Sequence, residues 1–122
     1  MINTVLRYVI PAAFNLLPPK MDTAPAVAML LAIGLQESKF LDRRQRGGGP
    51  ARSFWQFDPG AQGGFSLLFS HPHTRGEVFD VCRHLRYMNL SDTEMIRKAT
   101  EHNDVLACAF ARLLLWSNPN PL

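Results

Sequence analysis

Apolar residues recur at helical spacing through most of the chain. Val5, Leu6, Val9 and Ile10 fall on one stripe and predict a first helix over residues 2–16, kinked near Pro11. Leu17-Pro18-Pro19 stops it, because the residue before a proline is pushed out of the helical region. Asp22 or Thr23 caps a second helix, with Pro25 in its first turn. This helix runs through Ala26, Val27, Leu30, Leu31, Gly34 and Leu35 to about Lys39. It is apolar nearly all round until Gln36, which predicts burial on every side.

Residues 40–64 break the helical pattern. Gly47-Gly48-Gly49-Pro50, Pro59-Gly60 and Gly63-Gly64 signal loops, and between them lies the aromatic patch Phe54-Trp55-Gln56-Phe57. Nothing there alternates for long enough to form a sheet. Phe65 to Phe69 reads as a short helix stopped before Pro72. Thr74 caps the next, whose apolar face is Val78, Phe79, Val81, Cys82, Leu85 and Met88. Ser91-Asp92-Thr93-Glu94 matches a capping box and predicts a helix to about Thr100. Asn103 or His102 caps a last helix over 104–116, rich in alanine, which Asn118-Pro119-Asn120-Pro121 ends. The expected class is all-α.

Composition narrows this picture. A chain of 122 residues fits one domain, 1–122, with one core. Its 47% hydrophobic content excludes a disordered chain, and its length excludes a two-domain cofactor enzyme of the Rossmann kind. No apolar run approaches the roughly 20 residues of a membrane span. The N-terminus lacks the basic start and small-residue cleavage site of a signal peptide. A protein acting outside the cytoplasm would then need another export route.

The net charge of +3 is mild, and the densest cationic cluster is Arg43, Arg44, Arg46 and Arg52. Dedicated nucleic-acid binders concentrate Lys and Arg more strongly, so nucleic acid is not the expected partner. Cys82 and Cys108 stand far apart without CxxC spacing and read as reduced core residues. His71 and His73 have no further ligand at metal-site spacing, and no phosphate-cradling or nucleophile-elbow motif occurs. No metal or other cofactor is expected.

Glu37 is the sharpest chemical feature. It closes an apolar helix at the negative end of the helix dipole, which predicts a carboxyl held partly out of water and kept protonated. A general acid needs such a group. Asp42 and Asp58 are the nearby candidates for a second carboxylate, but the plainer reading of Asp58, before Pro59-Gly60, is a turn former, and that of Asp42 is a partner of Arg44 or a turn cap.

Glu37-Ser38-Lys39-Phe40, then Gly49-Pro50-Ala51, then Ser53-Phe54-Trp55-Gln56-Phe57 resemble the lysozyme-like lytic transglycosylases and goose-type lysozymes, in particular small phage- or prophage-encoded members. In that family a helix ends in Glu-Ser before an aromatic, and a Gly-Leu-Met-Gln element follows whose Gln borders the glycan cleft. Gln56 falls 19 residues after Glu37, close to the family spacing. The usable resemblance covers about residues 24–60. Ser53 replaces the family's Gly, Phe54-Trp55 replaces Leu-Met, and Phe110 stands roughly where a Tyr would orient the Glu.

The resemblance implies a lysozyme-like helical domain with a Gly/Pro-rich active-site loop. It implies cleavage of peptidoglycan glycan between aminosugars, by lytic transglycosylation with Glu37 as general acid/base. Ser38, Phe54, Trp55, Gln56 and Arg52 would contact substrate or shape its site. The setting would be a phage virion or host cell, acting at the periplasmic wall, with other virion proteins as further partners. Two alternatives stand beside it: a catalytically weak glycan-binding or structural phage protein, and a small basic DNA- or virion-associated protein.

Overall fold

Among the residues that the computed structural model describes, 1–60 and 64–117, four helices and two short 3-10 turns pack around a fifth, C-terminal helix. Among these no residue belongs to a strand, and the class is all-α. The predicted stop at 118–121 and the first glycine of Gly63-Gly64 lie outside the described residues.

Helix α1 is one continuous segment with three windings: Ile2–Thr4, a π-helical Val5–Val9, and Ile10–Phe14. Pro11 supplies the cause. It has no N–H to donate, and its ring crowds the carbonyl four residues back. The wider turn relieves that crowding, and the Ile10 N–H donates to Val5 O instead. The expected kink is thus a change of winding. It keeps Val5, Val9 and Ile10 buried and turns Leu6 outward, 44% exposed.

A 3-10 turn, Pro19–Met21, buries Met21 completely. Helix α2, Ala24–Ser38, is capped by Thr23, whose Oγ1 accepts from the Ala26 N–H at 3.2 Å. Its burial differs from the sequence expectation. Only Ala26, Leu30, Gly34 and Ser38 are buried, one stripe at intervals of four, while Met29 and Leu35 face outward.

After a 3-10 turn at Ser66–Phe69, α3 spans Arg75–His84. Its buried face is Val78, Val81 and Cys82; Phe79 and Met88, expected inside, are exposed. Thr74 sits at the cap position, but its hydroxyl donates back to Leu68 O at 2.9 Å. Helix α4, Thr93–Ala99, is capped by Asp92 and not Ser91, since Asp92 Oδ1 accepts from the Met95 N–H at 3.0 Å.

Helix α5, Asp104–Ser117, is the spine. Asn103 caps it through Oδ1, which accepts from the Leu106 N–H. Leu106 through Leu113 are buried without interruption, and α1, α2 and α3 all pack on it. Phe110 stacks on Phe65 with centroids 4.6 Å apart, and on Phe69 at 5.5 Å. Cys82 and Cys108 are free and buried, and burial pushes their thiols up to about 11 and about 12. Among the described residues no helix is long and apolar enough to cross a membrane.

Candidate functional site

The site begins where α2 ends. Ser38 Oγ donates to Gly34 O at 3.2 Å and accepts from the Phe40 N–H at 3.1 Å. Lys39 and Phe40 both adopt left-handed backbone, with φ of 56° and 54°. The chain therefore reverses and lays the Phe40 ring on Gly34 of its own helix. A Cβ at position 34 would lie 2.1 Å from the nearest ring atom, so only glycine permits this contact. Phe40 then meets Phe54 and Trp55 edge-on, at 5.4 and 5.9 Å between centroids. Trp55 Nε1 donates to Leu30 O at 2.9 Å, which fixes the aromatic segment to α2.

Two backbone pairings shape the loop. The Gln45 N–H donates to Ala51 O and the Ser53 N–H to Arg43 O, around a turn where Gly47 and Gly48 take φ of 83° and 82°. Arg52 and Phe57 exchange N–H···O bonds of 3.1 and 2.7 Å. Ser53 and Gln56, inside that second turn, have φ of 72° and 56°. Ser53 Oγ stabilises the turn by accepting from the Trp55 N–H at 3.0 Å. These are isolated bridges and do not extend into a sheet.

The result is a cleft of about 230 Å³ lined by Ile33, Glu37, Trp55, Gln56, Phe57, Asp58, Ala111, Leu114 and Leu115. Glu37 and Gln56 thus face one space, with Asp58 beside them and the apolar side of α5 as a wall. Glu37 is exposed, not held partly out of water as the apolar helix predicted. Among the described residues no hydrogen bond or ion pair engages its carboxylate. Gln56 is half-buried, and its Nε2 donates to Ser53 O at 2.7 Å, which holds the amide in the turn and not on Glu37. Asp58 is half-buried.

Five candidates are buried or committed to contacts within the fold, and of them only Trp55 lines the cleft. Phe54 is completely buried and lies under the Arg43 guanidinium, 4.4 Å from its ring centroid, so it cannot stack on a sugar. Trp55 is 4% exposed and reaches the cleft only as lining, not as an open platform. Arg52 is buried, donating from Nη1 to Pro50 O at 2.6 Å and pairing through Nε with Glu101 at 3.1 Å. Burial, then the charges of Arg44 and Arg97, lower its pKa. Asp42 pairs with Arg46 at 2.9 Å and does not line the cleft. Ser38 is buried and holds backbone. Arg43 is likewise committed, to Asp104 at the start of α5 by two bonds of 2.9 Å, which raise its pKa.

The residue that sequence reasoning missed is Arg97. The residue is 2% exposed. Nη1 donates to both Pro50 O at 2.7 Å and Phe57 O at 2.9 Å, while Nε and Nη2 hold Glu94 at 3.0 Å each. Glu94 in turn accepts from the Gly60 N–H at 3.4 Å. Helix α4 therefore clamps the loop from Pro50 to Gly60. The i, i+3 spacing of Glu94 and Arg97 is the available signal, but the capping-box pattern also claims Glu94.

Among the described residues no three His, Cys, Asp or Glu side chains gather as metal ligands. No protein-family model, no curated protein and no solved structure matches the chain.

Proposed function

We propose that this chain is a small lysozyme-like enzyme that cleaves the glycan strand of peptidoglycan, with Glu37 as its general acid/base. The observation that carries this reading is the shared cleft of Glu37 and Gln56, two residues that the family pattern places in one site. Its apolar wall of Ile33, Ala111, Leu114 and Leu115 suits the hydrophobic faces of aminosugars, and its polar groups suit their hydroxyl and amide groups.

The reaction needs one carboxyl. Protonated Glu37 gives its proton to the glycosidic oxygen as the C1–O bond breaks. The resulting carboxylate takes the proton of the C6 hydroxyl, whose oxygen attacks C1 and closes a 1,6-anhydro ring. Glu37 ends protonated, and no water is consumed. The exposed position of Glu37 leaves its carboxyl open to a bound strand. The setting that goes with this reading is a phage virion or its bacterial host, at the periplasmic wall.

Digestion of purified sacculi followed by mass spectrometry tests the reading. Fragments ending in 1,6-anhydro rings are expected. Fragments with reducing ends would make the enzyme a hydrolase, with Asp58 as the cleft's second carboxylate.

A second reading, a catalytically weak glycan binder, draws on Phe110. It occupies the approximate place of the family's Tyr but is buried on Phe65 and Phe69 and offers no hydroxyl to Glu37. Saturable binding to sacculi without any released fragment would favour it. The DNA-binding reading finds less support, because Arg43, Arg46 and Arg52 are all held in ion pairs.

A further inference from the structure

Arg112 lies on α5, next in sequence to cleft-lining Ala111, and only 2% of it is exposed. Arginines buried this deeply are nearly always matched by a carboxylate or a full set of acceptors. Arg112 is not. Its Nε donates to Met21 O at 2.8 Å, and this is its one hydrogen bond among the described residues. No acid among them forms an ion pair with it. Nη1 is buried and has no hydrogen-bond partner among the described residues. Desolvation alone lowers its pKa, with no opposing contribution from an acid.

The surroundings add positive charge. The Trp116 indole lies 5.6 Å from the Arg112 guanidinium carbon and 5.2 Å from the Lys20 ammonium. Lys20 is exposed, so one of the two cations is open to solvent. The Met21 carbonyl occupies the Nε side of the guanidinium, which leaves the Nη1–Nη2 edge as a two-donor fork. That edge matches the spacing of two oxygens on a planar or tetrahedral oxyanion.

We propose that Arg112, with Lys20 and Trp116 beside it, forms a binding site for an oxyanion, a carboxylate or a phosphate. The anion neutralises a buried guanidinium that no acid among the described residues pairs with. It bridges α5 to the Pro19–Met21 turn, and its binding therefore stabilises the folded chain.

Thermal unfolding of the full chain at constant ionic strength tests this, with sodium acetate or sodium phosphate replacing sodium chloride. Wild type should gain Tm in a saturable manner with at least one anion, by several degrees at saturation. A response to acetate alone assigns the site to carboxylates, and a response to phosphate alone assigns it to phosphates. R112M should lose the response. In chloride it should be at least as stable as wild type, because an unpaired buried charge has been replaced by an apolar side chain of similar length. K20M, an exposed change that leaves the core intact, should weaken the apparent affinity several-fold. If wild type shows no saturable response, or R112M responds as wild type does, the proposal fails. It also fails if R112M unfolds well below wild type in chloride while wild type ignores both anions, for then the guanidinium is satisfied within the chain.

Discussion

The Trp55 indole N–H donates to the Leu30 carbonyl across 2.9 Å, joining the loop to the middle of α2. That single bond sets the register of the site. Leu30 lies two turns before Glu37 on α2, and Trp55 immediately precedes Gln56. Loss of the bond should loosen the loop before it unfolds the chain. W55F is expected to cost about 0.5–1.5 kcal/mol of stability by urea denaturation. The proposed glycan cleavage should fall by a larger factor than that cost alone implies, because Gln56 and Asp58 lose their placement against Glu37.

Gly34 carries the opposite kind of constraint. In an ordinary exposed helix interior, Gly→Ala stabilises by about 1 kcal/mol. Here the added Cβ meets the Phe40 ring at 2.1–2.8 Å, and Phe40 is wedged against Phe54 and Trp55. G34A should therefore destabilise, by about 1–3 kcal/mol, the range for overpacking. Chemical denaturation reads the sign directly, and a stabilised G34A protein would contradict the packing described.

The α4 clamp predicts a pH dependence. The Arg97 bonds, then the Gly60 N–H and nearby cations, hold the Glu94 pKa below its ordinary 4.5. A depressed folded-state pKa contributes stability that is present above the unfolded value and lost as pH falls through the folded one. Wild type should therefore lose this contribution progressively below about pH 4.5. R97M should lose stability at neutral pH, since Pro50 O and Phe57 O lose their shared donor. It should also show a shallower acid-side slope. Urea midpoints measured from pH 7 to pH 3 check both.

Buried thiols predict slow chemistry. With their pKa values raised to about 11 and about 12, Cys82 and Cys108 carry little thiolate at pH 8. A thiol-specific reagent should label neither in the native protein and both after denaturation. Rapid native labelling would show that α3 and α5 separate locally.

The helices were legible because their punctuation is chemical. Thr23, Asn103 and the Pro18-Pro19 pair mark ends that the structure shows within a residue or two. Which faces turn inward was less legible. The π-winding before Pro11 and the single buried stripe of α2 depend on what packs alongside, and periodicity in one segment does not report its neighbours. The site divides in the same way. Glu37 and Asp58 are visible from residue type and position, Gln56 only through the resemblance, and the cleft gathers all three. Phe54 and Arg52 read equally as substrate contacts or as supports of the site, and type alone does not decide, because their contacts with Phe40 and Glu101 come from elsewhere in the chain. Arg97, which holds the loop by its carbonyls, was invisible because carbonyl acceptors leave no mark in a sequence.

The proposed cleavage depends on one carboxyl group. Turbidity loss of purified cell-wall suspensions should be compared for wild type and E37Q at equal concentration, with circular dichroism confirming that both are folded. Glu37 as general acid/base predicts clearing by wild type and a reduction of at least about a hundredfold in E37Q, the scale of a lost proton-transfer group. Equal clearing by the two proteins would contradict it.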